Sequence, residues 1–301
     1  MKDALFGGVN AAVLTPMNAD LSVDLDRMAA HCRWLLANGC NGLAVLGTTG
    51  EANSLGIDER LAVLEGLVAR GVPAAKMIPG TGTTALTDTV KLTRGAAGLG
   101  CRGALLLPPF YYKNPSDDGL FAYFSEVIQR TGEDIKIFLY HFPQQAVIGF
   151  GLSLIGRLLA AFPGVVKGIK DSSGDFANSR AYAEHYAKDG FEVYAGDDSL
   201  LLPMLGVGGA GCITAASNVN CAIGARVYAT RDEGAQRVLT ATRKAVTSVP
   251  LIPGLKALVA RNTGDARWTN IRPPHLRLSA AQEVALFAAF DGSGVTLAKA
   301  A

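Results

Sequence analysis

The stretch Val165-Val166-Lys167-Gly168-Ile169-Lys170-Asp171-Ser172-Ser173 is a short apolar run that closes on a lysine and breaks at once into a polar turn. Apolar residues at nearly every position suit a strand buried on both faces, as strands are in parallel sheets. A lysine at the end of such a strand either escapes to solvent or sits dehydrated. Dehydration disfavours the ammonium and leaves a nucleophilic amine, the form that makes a Schiff base with a carbonyl substrate. Side chains alternate along a strand, so Lys167 and Lys170 cannot both face inward. Gly168 shares the face of Lys170 and is expected to leave room beside it. On position alone, a Lys170 that merely snorkels to solvent remains an equal alternative.

Seven further runs of this kind occur, each bounded by glycine, proline or a polar turn: Ala11–Leu14, Leu43–Leu46, Met77–Ile78, Ala104–Leu107, Ile137–Tyr140, Glu192–Ala195 and Cys212–Ala215. With Val165–Lys170 they start roughly 20–35 residues apart, about one strand-plus-helix unit. Between them apolar residues recur at helical spacing, as in Leu25, Met28, Ala29, Cys32 and Leu35, and in Leu61, Leu64, Leu67 and Val68. Asp58-Glu59 and Ser116-Asp117-Asp118 supply acidic helix starts. Eight units in a row predict an α/β fold, a (β/α)8 TIM barrel; a doubly wound sheet with fewer strands is the competitor. Beyond residue 230 the strand signal stops. Residues 1–230 are therefore expected to form the catalytic barrel and 231–301 a C-terminal helical appendage. Val249–Gly254 and Thr269–Pro274 read as its loops, and Ser279–Phe290 as a final amphipathic helix.

The 301 residues are 49% hydrophobic with a net charge of +2, enough for one large core. No basic run or aromatic–basic interleaving points to nucleic acid, and no apolar run approaches the roughly 20 residues of a membrane helix. The N-terminus shows no signal-peptide pattern. The five cysteines are scattered without a C-x-x-C pair, which argues against disulfides and a thiolate metal site. The four histidines show no ligand spacing. Gly206–Gly211 matches a dinucleotide-type G-x-G-x-x-G but precedes a strand instead of following one. The expectation is a cytoplasmic protein that needs no metal or cofactor.

In barrels of this kind chemistry sits at the C-terminal strand ends. Gly47-Thr48-Thr49-Gly50-Glu51 follows the second run, and its amides and hydroxyls can converge on an anion such as a small carboxylate. A plain structural turn is the competing reading, with Glu51 no more than a helix cap. Tyr140 ends the fifth run beside the Lys170 strand, where a phenol can relay protons. A core tyrosine with a satisfied hydroxyl is the bland alternative.

Taken together, GTTGE at 47–51, PPFYY at 108–112, Tyr140 in YHFP, Lys170 in GIKDSSGD and AGDD at 195–198 resemble the dihydrodipicolinate synthase/N-acetylneuraminate lyase family of class I aldolases. The resemblance runs from about Val9 to Asn218 and reaches Arg272-Pro273-Pro274. It implies a barrel with C-terminal helices, usually a homotetramer (a dimer of dimers), that works through a lysine-bound pyruvate enamine. By position, Lys170 resembles the Schiff-base lysine, Tyr140 the proton-relay tyrosine and Thr48 the hydroxyl that links it to a second tyrosine. Either Tyr111 or Tyr112 aligns with that second tyrosine, often supplied by a neighbouring subunit. Thr49 with Gly47 and nearby amides resembles the pyruvate carboxylate site. Ile213 and Gly196 resemble pocket residues.

The match is not uniform. Gln145 stands where the synthases resemble one another in an arginine that takes the semialdehyde carboxylate, and an amide cannot replace a bidentate guanidinium. Ile57 and Thr84 occupy positions that are polar in lysine-inhibited synthases. Asp171–Asp175 looks more like 4-hydroxy-2-oxoglutarate or 2-keto-3-deoxy-sugar-acid aldolases, and Gly196–Asp198 departs from the GYDE-like segment of sialic acid lyases. A pyruvate-forming or pyruvate-using aldolase with an acceptor other than aspartate semialdehyde is therefore the expectation. The synthase is the alternative, and a catalytically silent 2-oxo-acid-binding barrel is the reading from another class.

Overall fold

The computed structural model of the chain describes residues 4–297. Seven parallel strands form the order β2-β1-β7-β6-β5-β4-β3: β1 (Gly8–Ala12), β2 (Gly42–Ala44), β3 (Gly103–Leu106), β4 (Lys136–His141), β5 (Val166–Asp171), β6 (Glu192–Ala195) and β7 (Gly211–Thr214). Helices cover the outside: α1 (Leu25–Ala37), α2 (Ile57–Ala69), α3 (Leu86–Gly98), α4 (Asp117–Thr131), α5 (Pro143–Ala146), α6 (Leu152–Ala161), α7 (Phe176–Tyr186), α8 (Leu201–Gly206) and α9 (Ser217–Thr230). Three more follow, α10 (Glu233–Val246), α11 (Leu251–Thr263) and α12 (Ala280–Asp291). The architecture is that of a (β/α)8 barrel with C-terminal helices. Among the described residues no helix is long and apolar enough to cross a membrane.

The expected third strand at Met77–Ile78 is not a regular strand. It survives as single parallel bridges from Met77 to Leu43 and from Gly80 to Leu105, which close the sheet between β2 and β3. The amides of Ile78 and Gly80 donate to Leu43 and Val45, and the Leu105 amide donates to Pro79. Pro79 has no N–H to give, so the ladder is interrupted there. The segment acts as the eighth stave all the same.

Strands buried on both faces explain the unbroken apolar runs. One core layer lies between strands and helices, with Val9, Leu43, Leu106, Leu139, Ile169 and Val193 among its members. The barrel interior holds Phe6, Ala44, Ile78, Leu105, Phe138, Tyr140, Tyr194 and Ile213. A third cluster joins α10–α12 to Leu14, Ala215, Ala216 and Val219, so the C-terminal helices pack against the strand ends that carry the site.

Two expectations need correction. Gly168 leaves no room: a Cβ there would stand 2.4 Å from the Glu192 carbonyl and 2.9 Å from the Phe138 ring, so glycine is needed for close packing of β5 on β6. Val249–Gly254 is not all loop. α11 begins at Leu251 and carries Pro253 in its first turn, where a missing N–H breaks no helical bond. At the opposite end of the barrel Glu192 is fully buried, accepting from the Leu5 amide at 2.7 Å and the Tyr194 hydroxyl at 2.5 Å. Lys167 reaches that carboxylate at 3.8 Å, which commits it to the floor of the barrel.

Candidate active site

Lys170 is the next-to-last residue of β5 and is 5% exposed. It is in register with Tyr140 of β4 and Tyr194 of β6, all three turned to the interior. Its Nζ lies 4.2 Å from the centroid of the Tyr140 ring. Among the described residues no carboxylate pairs with it. Asp171, one step along the strand, accepts from the Ser173 amide at 2.8 Å, Asn178 Nδ2 at 2.8 Å and Ser179 Oγ at 2.6 Å. Its charge anchors the turn into α7 instead of neutralising the lysine. His141, next to Tyr140, likewise faces outward: its Nδ1 accepts from the Phe150 amide at 3.0 Å, and burial lowers its pKa.

The turn after β2 is shaped by backbone. Leu46 and Glu51 bracket it, both in the left-handed region at φ +54° and +56°, a strained state for residues with side chains. Thr15 fastens it to the end of β1 by donating to the Gly50 carbonyl at 2.7 Å. A Cβ on Gly50 would press on the Val13 carbonyl at 2.9 Å, whereas one on Gly47 would meet open space. Among the described residues the amides of Thr48 and Thr49 have no acceptor within the chain. Unspent donors at such a turn suit a bound carboxylate.

A cavity of about 740 Å³ opens over these strand ends. Thr48, Thr49, Tyr140, Lys170, Gln145 and Gly196 all line it, and Gly47 lines a narrow cleft with Thr48 and Tyr140 beneath. Gly196 is dictated by packing, since a Cβ there would stand 2.0 Å from Ser172 Oγ. The structure therefore brings most of the expected residues to one place. Ile213 is inside the barrel on β7, beyond β6 from Lys170, and does not line the cavity. Tyr111 and Tyr112 stand outside it, 70% and 75% exposed and packed edge-on against each other. No hydrogen bond joins Thr48 to Tyr140 within the described residues. A larger cavity of about 950 Å³ between α1, α9 and α11 holds none of these groups.

The segments after residue 230 contribute residues whose contacts with the site have no local signal in the sequence. Glu51, for which a helix cap is the competing reading of the sequence, makes no capping bond; its buried carboxylate pairs with the buried ammonium of Lys256 on α11. The Arg272 amide also reaches Glu51 at 3.3 Å, while the Arg272 guanidinium grips Glu59 and donates to Ser54 O at 2.7 Å. Burial lowers the Lys256 pKa, with Glu51 opposing. Arg243 of α10, Pro250–Pro253 and His275 complete the wall. No local pattern announces these partners, which lie some 200 residues from the turn they support (221 residues separate Arg272 from Glu51).

The model of the dihydrodipicolinate synthetase family matches residues 5–283. An uncharacterized DapA-like lyase of Chloroflexus aurantiacus is 36% identical over 291 residues, covering 94% of this chain and 96% of the relative. The 4-hydroxy-tetrahydrodipicolinate synthase of Bacillus subtilis is 36% identical over 215 residues, 71% of this chain and 72% of the relative. Among solved structures, the dihydrodipicolinate synthase of Agrobacterium tumefaciens superposes with a TM-score of 0.88 at 33% identity, covering 96% of this chain and 99% of that one. A prophage protein of the same family from E. coli K12, solved in complex with pyruvate, gives 0.88 at 27% identity, with 96% and 99% covered. Strand order, the lysine-bearing strand end and these likenesses agree: the chain belongs to the dihydrodipicolinate synthetase family.

Proposed function

We propose that this protein is a class I aldolase in which Lys170 forms an imine with a 2-oxo acid and the C3–C4 bond of that acid is broken or made. The observation that carries the reading is the buried Lys170 amine, 4.2 Å from the Tyr140 ring centroid, at the floor of a cavity that also holds Thr48 and Thr49. Members of this family are pyruvate-dependent lyases of the Schiff-base type.

In the cleavage direction the 2-oxo acid carboxylate binds the Thr48–Thr49 turn, which sets its carbonyl before Lys170, an orientation effect. The amine adds to C2, and water leaves to give the protonated imine. Tyr140, left as a phenolate after giving its proton to that departing water, takes the proton of the C4 hydroxyl, the C3–C4 bond breaks and its electron pair moves through C2 to the iminium nitrogen. An aldehyde departs. The enamine is protonated at C3, and hydrolysis releases pyruvate and the free lysine. Condensation is the reverse. The second relay tyrosine is Tyr111 or Tyr112 from a neighbouring subunit of a homotetramer, since neither reaches the cavity of its own chain.

The substrate we favour is a 4-hydroxy-2-oxo acid or a 2-keto-3-deoxy acid, because Gln145 stands at the cavity where the synthases resemble one another in an arginine. The competing reading, condensation with aspartate semialdehyde, is favoured by the names of relatives such as the Bacillus subtilis synthase. Pyruvate release from a panel of 4-hydroxy-2-oxo and 2-keto-3-deoxy acids, set against consumption of pyruvate with aspartate semialdehyde, separates the two. Efficient condensation with the semialdehyde and no cleavage across the panel would overturn our choice.

A further inference from the structure

A permanent cation enters the same cavity from the C-terminal helices. Arg243, in the last turn of α10, lines it together with Gln144, Gln145 and Lys170. Besides Lys170 it is the one Lys or Arg among the described lining residues. Its side chain is only 22% exposed, and its Nε lies 3.3 Å from Asp197 Oδ2 on the turn after β6. The other oxygen of Asp197 is taken by the Ser199 amide at 2.9 Å, so Asp197 is fixed in place.

The pair is loose in comparison with the other arginine–carboxylate pairs among the described residues. Arg267 makes two hydrogen bonds to Asp265, each 2.9 Å, and Arg261 makes two to Asp291. The Arg243 guanidinium makes no hydrogen bond to any described residue. A guanidinium has five N–H donors in a planar fork that matches a carboxylate. Here the fork is largely withdrawn from bulk water, held at one edge by Asp197 and left with its donors unspent. A clamp between α10 and the barrel would use those donors; a ligand site would keep them. The neighbouring carboxylate also selects the ligand: beside Asp197, a singly charged planar carboxylate is repelled less than a phosphate dianion.

We infer that Arg243 binds a second, terminal carboxylate on the substrate, so that the 2-oxo acid handled here is a dicarboxylate with one end at Thr48–Thr49 and the other at Arg243. The inference rests on the imine chemistry at Lys170 proposed above. It replaces the guanidinium missing at position 145 by one from a different element, the C-terminal helix α10. It makes Arg243 a specificity-determining residue with no part in bond making.

Imine formation itself gives a readout that does not depend on turnover. Matched 2-oxo acids that differ only in their far end are titrated against the full-length protein, and the adduct is fixed with borohydride and counted by mass: 2-oxoadipate against 2-oxohexanoate, with pyruvate as control. In the wild type 2-oxoadipate should half-saturate trapping at a concentration at least tenfold below that of 2-oxohexanoate. Arg243→Gln should erase that preference, chiefly by weakening 2-oxoadipate, and leave pyruvate trapping within about threefold. Arg243→Lys should keep part of it. No preference in the wild type, or a preference that survives Arg243→Gln, would overturn the inference. So would an equal loss for all three acids, since that marks a structural role. Failure of every acid, pyruvate included, to trap on the wild type would sink the imine reading itself, an outcome distinct from trapping without preference.

Discussion

Lys256 of α11 and Glu51 of the turn after β2 form an ion pair in which both side chains are fully buried. It links a C-terminal helix to the turn that carries Thr48 and Thr49, and the Lys256 ammonium also donates to the Asn270 carbonyl at 2.8 Å. Removing one partner strands the other charge in the interior, an effect of about 3–5 kcal/mol. Lys256→Met and Glu51→Gln should therefore each lower the free energy of unfolding in urea by roughly that much. The double variant should lose less than the sum of the two. Additive losses would show that the pair does not act as a unit.

This pair also shows where sequence reading stops. The eight staves were legible because strands buried on both faces are apolar throughout, and Lys170 was legible because a charge at the end of such a strand is conspicuous. Glu51 looked like a cap because a carboxylate just before a helical segment usually is one, and its partner lies on a helix whose start was hidden by Pro253-Gly254. Met77–Ile78 reads as a strand, but Pro79 reduces it to single bridges. In sequence Gly168 reads as room beside Lys170, whereas Phe138 and the β6 backbone fill that space. Arg243 gave no signal at all. Long-range pairing depends on packing, and one chain read alone carries no record of it.

Tyr140 is 4% exposed and packs on Phe142 as well as under Lys170, so phenylalanine fits its place. Tyr140→Phe should keep the imine with pyruvate yet slow turnover by roughly 10²–10⁴-fold, the range for losing a positioned acid–base group. Single-turnover kinetics and borohydride trapping on one preparation separate the two effects. Unchanged turnover would remove Tyr140 from the proton path.

Two buried groups give stability opposite pH dependences. Burial pulls His31 from its ordinary 6.5 down to about 4, partly offset by its bond to Asn218. Its unfolded form binds a proton that the folded form refuses, so its stabilising share is lost as pH falls from 6.5 to 4. Burial pushes Asp198 from 3.8 up to about 6, with Arg243 opposing. The folded form keeps a proton that the unfolded form has released, so its share is lost as pH rises from 3.8 to 6. Each effect is on the order of 3 kcal/mol, and between pH 4 and 6 they largely cancel. Relative to the wild type, Asp198→Asn should become steeply acid-sensitive across that window and His31→Gln should become more stable as pH falls. Denaturant midpoints at several pH values check this; parallel profiles for all three proteins would contradict it.

The most direct test of the account is reduction of the protein with borohydride in the presence of pyruvate, followed by peptide mass mapping. A single adduct with the mass of one reduced pyruvate should appear on Lys170, and Lys170→Ala should abolish it while Lys167, engaged with Glu192 at the barrel floor, stays unmodified. No adduct on the wild type, or an adduct that persists in Lys170→Ala, would contradict the assignment of Lys170 as the imine-forming residue.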